Sequence, residues 1–293
     1  MKPNLFIPGA PKSGTSSLHL YLDQHPEIQM SKIKETHNYA YDPHYVKRFD
    51  SDWIFSYNDI FHNDPKVKYF GESSTIHCIT ETTIPRIIQD EINPKIIFVL
   101  RDPIERILSH YNWLKSLGLV KKEFFKEIKD SINVPFDPNK NLNGNYKSYI
   151  EFSKYATFIK RWIDAFNREN VLIITTEELS SDYFNTINTC FDFLKLPQLD
   201  EIKIVRENVT TLNKQKISGK SISSLSKKIL KSLFPNSLEQ SGKPKSGGKH
   251  ILAIEERKWL QNFLFSEVET LEIIIGRELT EWSNFKNNGN STH

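Results

Sequence analysis

A strand-to-helix junction near the start of the chain most constrains its fold. Leu5-Phe6-Ile7 is a short apolar run. It is followed by the turn Pro8-Gly9-Ala10-Pro11-Lys12-Ser13-Gly14 and then by a segment in which Leu18 and Leu22 stand four apart. The run predicts a buried strand; the spacing predicts a helix that begins near Thr15 and is ended by Pro26. A glycine-bearing turn between the two leaves the N–H groups of the first helical turn pointing outward, where the macrodipole adds partial positive charge. Such a junction is an anion site. Gly14 permits close approach of backbone to ligand, Lys12 adds a full charge, and Ser13, Thr15, Ser16 and Ser17 add hydroxyl donors.

The order of these residues narrows the anion. Gly9 and Gly14 are separated as in a nucleoside-triphosphate loop, but Thr15 stands where the lysine should follow. The lysine precedes Ser13-Gly14 instead. A kinase would lose its β/γ-phosphate lysine in this arrangement, so a different phosphate-bearing donor is favoured.

The rest of the chain alternates strands with helices. Residues 68–71, 95–100 and 171–175 read as strands, and Ile96 to Leu100 is unbroken in its apolarity, as in a parallel strand covered on both faces. Asp102-Pro103-Ile104-Glu105 supplies a helix N-cap, proline at the first helical position and a glutamate placed as in a capping box. Phe152, Tyr155, Ile159, Trp162, Ile163 and Phe166 recur at helical spacing, as do Leu260, Phe263, Leu264, Val268, Leu271 and Ile275; both stripes predict core-facing helices. The expected architecture is a three-layer α/β fold with a central parallel sheet flanked by helices. One domain over 1–293 is expected. The lysine-, serine- and glycine-rich stretch at about 214–249, with Ile222, Leu225 and Ile229 at helical spacing, reads either as a solvated insertion or as a lid.

Composition excludes several classes. A net charge of +3 gives no global field for nucleic acid. Cys78 and Cys190 are too few for a disulfide framework and lack metal-ligand spacing. His37 and His44 are seven apart without ligand-type companions, so no metal site is predicted. The initial apolar run is too short for a signal peptide, and no stretch approaches the ~18 apolar residues of a membrane span. A reduced, cytoplasmic setting is expected, with the sequons at Asn208 and Asn290 unmodified. The abundance of lysine, asparagine and isoleucine points to a bacterial source.

Three blocks carry a family resemblance. Pro11-Lys12-Ser13-Gly14-Thr15-Ser16-Ser17-Leu18 resembles the 5′-phosphosulfate loop of sulfotransferases that use 3′-phosphoadenosine 5′-phosphosulfate (PAPS). The stretch from Ile97 through Arg101-Asp102-Pro103 to Tyr111 is similar to the family's 3′-phosphate block, a strand entering an Arg-Asp-Pro turn with a serine, Ser109, eight residues after the arginine. Lys34-Glu35-Thr36-His37-Asn38-Tyr39 resembles the Glu-x-His-Phe-Phe stretch of the heparan-type carbohydrate branch, with Asn38 and Tyr39 replacing the phenylalanines. Two looser matches follow. Gly71-Glu72-Ser73-Ser74 resembles an acceptor-side Gly-Glu-Lys-Ser stretch, with Ser73 in place of lysine, and Gly247-Gly248-Lys249-His250 resembles the loop that closes over the nucleotide.

The resemblance implies in-line transfer of a sulfuryl group from PAPS to a hydroxyl, or an amine, of a carbohydrate or glycan-like acceptor, releasing adenosine 3′,5′-bisphosphate. Lys12 would stabilise charge on the leaving phosphate oxygen, a contribution of about 2.7–4 kcal/mol for one such donor. Lys12 and the helix terminus would take the role that Mg²⁺ has in kinases, so no metal is required. Glu35 is the expected base, by the resemblance and because partial burial can raise a carboxylate toward neutrality. His37 is a second base or an orienter; two positions from Glu35, it shares a side with it only if the backbone there is extended. Arg101, just past a buried strand, would grip the 3′-phosphate with Ser109; otherwise Arg101 pairs with Asp102 or Glu105 and Ser109 is a surface serine. Gly248 and Lys249 would complete the nucleotide site. Arg106 reads as structural, and His110 and Tyr111 as packing or acceptor-side residues. The alternatives are a P-loop-like kinase with Asp102 on a Walker B-like strand, a non-enzymatic scaffold, and a sulfotransferase for a small secondary metabolite or lipid.

Overall fold

The computed structural model describes residues 1–40, 57–132, 147–204 and 248–286. Five strands form one parallel sheet in the order β2-β3-β1-β4-β5: β1 Leu5–Phe6, β2 Ile28–Met30, β3 Tyr69–Glu72, β4 Lys95–Leu100 and β5 Val171–Thr175. β1 lies between β3 and β4, with Phe6 opposite Glu72 and Ile96. All five strands run the same way, so the carboxyl ends of β1, β3 and β4 open on one edge, where α/β proteins bind ligands.

Alternate residues of the strands enter two cores. Leu5, Ile7, Ile97, Val99 and Ile174 pack with Leu18 and Leu22 of α1 (Thr15–Leu22) and with Ile187, Cys190 and Phe191 of α8 (Tyr183–Phe193). Phe6, Ile96, Phe98, Leu100 and Ile173 face the opposite way, onto α6 (Tyr155–Phe166) and α9 (Ile254–Ile275). A third cluster joins α4 (Pro103–Ser116), α5 (Phe124–Ile132) and the start of α9. Short helices α2 (Tyr57–Ile60), α3 (Thr83–Gln89) and α7 (Thr176–Ser181) complete the described α-helices. The three-layer reading stands.

Four local readings change. The helix after the first loop stops at Leu22 rather than running to Pro26, because Asp23 accepts the Met30 N–H at 2.9 Å and turns the chain into β2. β2 itself is three residues long, below the length at which an apolar run is legible. The capping box at Asp102 is half built. Its carboxylate accepts from the N–H groups of Ile104 and Glu105, but its own N–H donates to Glu177 Oε1, and Glu105 reaches Arg257 at 3.1 Å instead. Phe263 is 38% exposed and stacks on Trp259 outside the core. The 214–249 stretch lies outside the described residues apart from Gly248 and Lys249, as do His44, Asn208 and Asn290.

Candidate active site

The loop from Gly9 to Gly14 is strapped to the sheet edge. Ala10 N–H donates to Val99 O at 2.8 Å and Val99 N–H to Gly9 O at 3.0 Å, which fixes the loop against the end of β4. A Cβ on Gly9 would lie 2.8 Å from Cys78 Cβ, so only glycine fits there. Gly14 precedes α1 with φ 90°, a conformation that side-chain-bearing residues rarely adopt. The Thr176 hydroxyl lies 2.7 Å from Ser13 O and 2.9 Å from Leu100 O, bringing the loop alongside Arg101. Ser13 and Thr15 are buried, Ser13 beside the Tyr155 hydroxyl, while Ser16 and Ser17 are half-buried on the first turn of α1.

Lys12 is half-buried, and its Nζ sits 5.0 Å from the centre of the Trp113 ring. Burial, reinforced by the charges of Arg101, Lys34 and Arg106, draws its pKa down to about 8. Four cationic side chains therefore share one region, and no carboxylate pairs with Lys12 among the described residues. A group whose charge is disfavoured by neighbouring cations is suited to an anionic ligand, which offsets that repulsion and favours the charged form.

At the end of β4, Asp102 is committed to capping α4 and to Asn284, whose Nδ2 donates to it at 2.8 Å. It has no role left as a Walker B-like metal carboxylate. Arg101 is half-buried, and its guanidinium pairs with neither Asp102 nor Glu105; Glu105 is taken by Arg257. Ser109 is half-buried two turns into α4. Arg106 is fully buried: Nε donates to Ser153 Oγ at 2.7 Å, Nη2 donates to the Tyr149 carbonyl, and Nη1 lies 3.3 Å from His110 Nδ1. It holds residues 149–153 against α4, yet its charge reaches the loop. His110 packs among Trp113, Tyr149 and Phe152; Tyr111 packs on Phe124 and donates to Lys122 O.

The Glu35–His37 strap lies along the residues that follow β3. Glu35 N–H donates to Ser73 O at 3.3 Å and His37 N–H to Ser74 Oγ at 2.9 Å. The strap is not extended. Glu35 has φ 60° and His37 φ 58°, left-handed conformations that cost on the order of 1–3 kcal/mol each for such residues. The two side chains nevertheless converge, with His37 Nδ1 3.8 Å from Glu35 Oε2, because the two left-handed residues bend the backbone back on itself. The expectation of a raised Glu35 pKa is overturned. Burial pushes it up, but Lys34, whose Nζ donates to Oε1 at 2.6 Å, together with His37 and the Thr75 N–H, which donates to Oε2 at 2.8 Å, holds the carboxyl below its usual range. Burial draws His37 down to about 4, so it is neutral at physiological pH. Ser73 is fully buried, its Oγ 2.7 Å from His19 Nδ1 on α1, which ties the strap's support to the helix that follows the 9–14 loop.

Gly248 and Lys249 are exposed, and it is their neighbour His250 that is tied to the helix carrying Ser109. Asn112 on α4 exchanges two hydrogen bonds with the His250 backbone, at 2.8 and 3.1 Å, three residues beyond Ser109. Sequence reading missed Lys34, Thr75, Trp113 and Asn112 as parts of this site. Only Lys34, adjacent to Glu35, had a signal in the sequence. Among the described residues there is no group of three or more His, Cys, Asp or Glu able to hold a metal, and no helix is long and apolar enough to cross a membrane.

Comparisons with known proteins identify the family and the fold. The sulfotransferase domain family model matches residues 2–281. Human carbohydrate sulfotransferase 15 is 25% identical over 250 residues, covering 68% of this chain and 45% of that protein. Mouse heparan sulfate glucosamine 3-O-sulfotransferase 5 is 27% identical over 202 residues, covering 67% of this chain and 54% of that protein. The chain thus spans about half the length of these curated relatives. A sulfotransferase from Alicyclobacillus acidocaldarius shares the fold, with a TM-score of 0.68 at 24% identity over 96% of this chain and 99% of that one.

Proposed function

The chain belongs to the sulfotransferase family, and on that premise we propose that it moves a sulfuryl group from PAPS to a hydroxyl of a carbohydrate or glycan-like acceptor. The observation that carries this reading is the cluster of Lys12, Arg101, Lys34 and Arg106 around a helix-start loop. Its charge is suited to a donor that carries phosphate at two ends. PAPS supplies the activated sulfuryl group: its sulfur–oxygen bond to phosphate breaks as the bond to the acceptor oxygen forms.

The chain's own residues then divide the work. Lys12 and the N–H groups at the start of α1 stabilise negative charge on the departing phosphate oxygen. Arg101 and Ser109, whose side chains make no hydrogen bond or salt bridge among the described residues, are the donors for a 3′-phosphate, with Gly248 and Lys249 expected to complete the site. Glu35 is ionised and accepts the acceptor's proton as its hydroxyl attacks. To do so at Oε1 it must exchange the Lys34 hydrogen bond for the acceptor hydroxyl. Neutral His37, 3.8 Å away, orients the acceptor or shares the proton.

The carbohydrate preference rests on the Glu35/His37 strap and on the names of the relatives at 25–27% identity. The test is transfer of labelled sulfate from PAPS to a panel of desulfated glycosaminoglycan oligosaccharides, small phenols and glycolipids. Transfer to the oligosaccharides that disappears in Glu35→Gln, with bisphosphate binding retained, supports the reading. Transfer to phenols or lipids alone replaces the acceptor class.

A further inference from the structure

Glu72 is the last residue of β3, and its side chain is fully buried. No lysine or arginine pairs with it among the described residues. Its Oε1 accepts from the Thr36 hydroxyl at 2.9 Å and from the Ser74 hydroxyl; its Oε2 accepts from the Ser74 N–H at 3.2 Å and lies 3.1 Å from His77 Nδ1. Burial disfavours the charge, but His77 and the hydroxyls of Ser74 and Thr36 outweigh it and hold the carboxyl down to about 2. It is therefore a carboxylate at any working pH, and a carboxylate only accepts.

That polarity propagates. With Glu72 ionised, the hydroxyls of Thr36 and Ser74 must both point at it as donors. The Ser74 oxygen is then left facing the His37 N–H, which donates to it at 2.9 Å. One carboxylate thus pins the residue between Glu35 and His37 directly and His37 at one remove. Glu35 and His37, on either side of Thr36, are the strap residues whose left-handed backbone has to be held by its surroundings. The scheme above gives Glu72 no contact with donor or acceptor.

We propose that Glu72 is a positioning residue: its buried carboxylate, acting through the hydroxyls of Thr36 and Ser74, fixes the strap that aims Glu35 and His37 at the acceptor. The proposal rests on the reading in which Glu35 is the base, and the test separates the two. Thr36→Val removes the hydroxyl at nearly constant volume, whereas Thr36→Ser keeps it; Glu72→Gln removes the charge. The expected result is a kcat lowered about tenfold in Thr36→Val, as for loss of a hydrogen bond to a charged group, with adenosine 3′,5′-bisphosphate affinity within about twofold of wild type. Thr36→Ser restores the rate. Glu72→Gln lowers kcat by at least as much, and adding Thr36→Val to it costs little more, because both act through one hydrogen bond.

Amide hydrogen exchange over residues 34–38 gives a readout independent of turnover, and one that survives if Glu72→Gln fails to fold. It speeds up in Thr36→Val and not in Thr36→Ser. Unchanged exchange together with unchanged kcat in Thr36→Val overturns the positioning role even if Glu35→Gln is inactive. Accelerated exchange in a protein that transfers no sulfuryl group keeps the positioning role and removes the enzymatic reading.

Discussion

Lys34 Nζ donates to Glu35 Oε1 at 2.6 Å, so the base of the proposed reaction is held as an ion pair by its own sequence neighbour. Burial alone raises the Glu35 pKa; Lys34 is the first of the groups that bring it down. Because the folded-state value is depressed, the ionised base persists to low pH and is lost only as pH falls through that value. In Lys34→Met the burial effect is less opposed and the pKa rises. The acid limb of the kcat/KM profile is expected to move to higher pH. A limb that stays in place would remove Glu35 as the titrating base.

Lys12 titrates at about 8 in the free protein, first through burial and then through Arg101, Lys34 and Arg106. A bound bisphosphate favours the charged form and restores the proton. Binding near pH 8.5 is therefore accompanied by proton uptake, and affinity falls as pH rises through and above about 8. Calorimetry in buffers of different ionisation enthalpy measures the uptake directly, and Lys12→Met should abolish it. Lys12→Ala should also lower kcat by about 10²–10³-fold, the usual consequence of losing one donor at a developing negative charge.

Ser109 and Arg106 lie on the same helix and should respond in opposite ways. Ser109→Ala is expected to weaken bisphosphate binding about tenfold with little change in Tm, as for a half-buried hydroxyl used only by a ligand. Arg106→Ala strands the hydrogen-bonding groups of Ser153 and Tyr149 in a buried site and should cost about 3 kcal/mol or more of stability in denaturant unfolding. Equal losses of stability in the two variants would contradict this division.

What could be read beforehand depended on how local the signal was. β4 was legible to the residue because five consecutive apolar side chains admit few alternatives, and the α4 start because Asp-Pro encodes cap and first turn together. The strand–turn–helix junction around Gly14 was legible because an apolar run, a glycine-bearing turn and an i, i+4 leucine pair follow one another directly. β2 was not, since three residues carry no period. The Glu35 pKa was predicted with the wrong sign because the sequence puts Lys34 beside Glu35 but does not show that its Nζ turns onto the carboxylate at 2.6 Å, nor that His37 and the Thr75 N–H, forty residues away, face it. Asn112 was missed for the same reason: its partner, His250, is 138 residues distant.

The most direct test of the central claim is a titration of adenosine 3′,5′-bisphosphate into the protein, with ADP in parallel, for wild type and Arg101→Ala. The two ligands share the 5′ end of the site and differ in the 3′-phosphate. The account predicts that wild type binds the bisphosphate much more tightly than ADP and that Arg101→Ala erases most of the difference. Equal affinities in wild type, or a preference that survives Arg101→Ala, would contradict it.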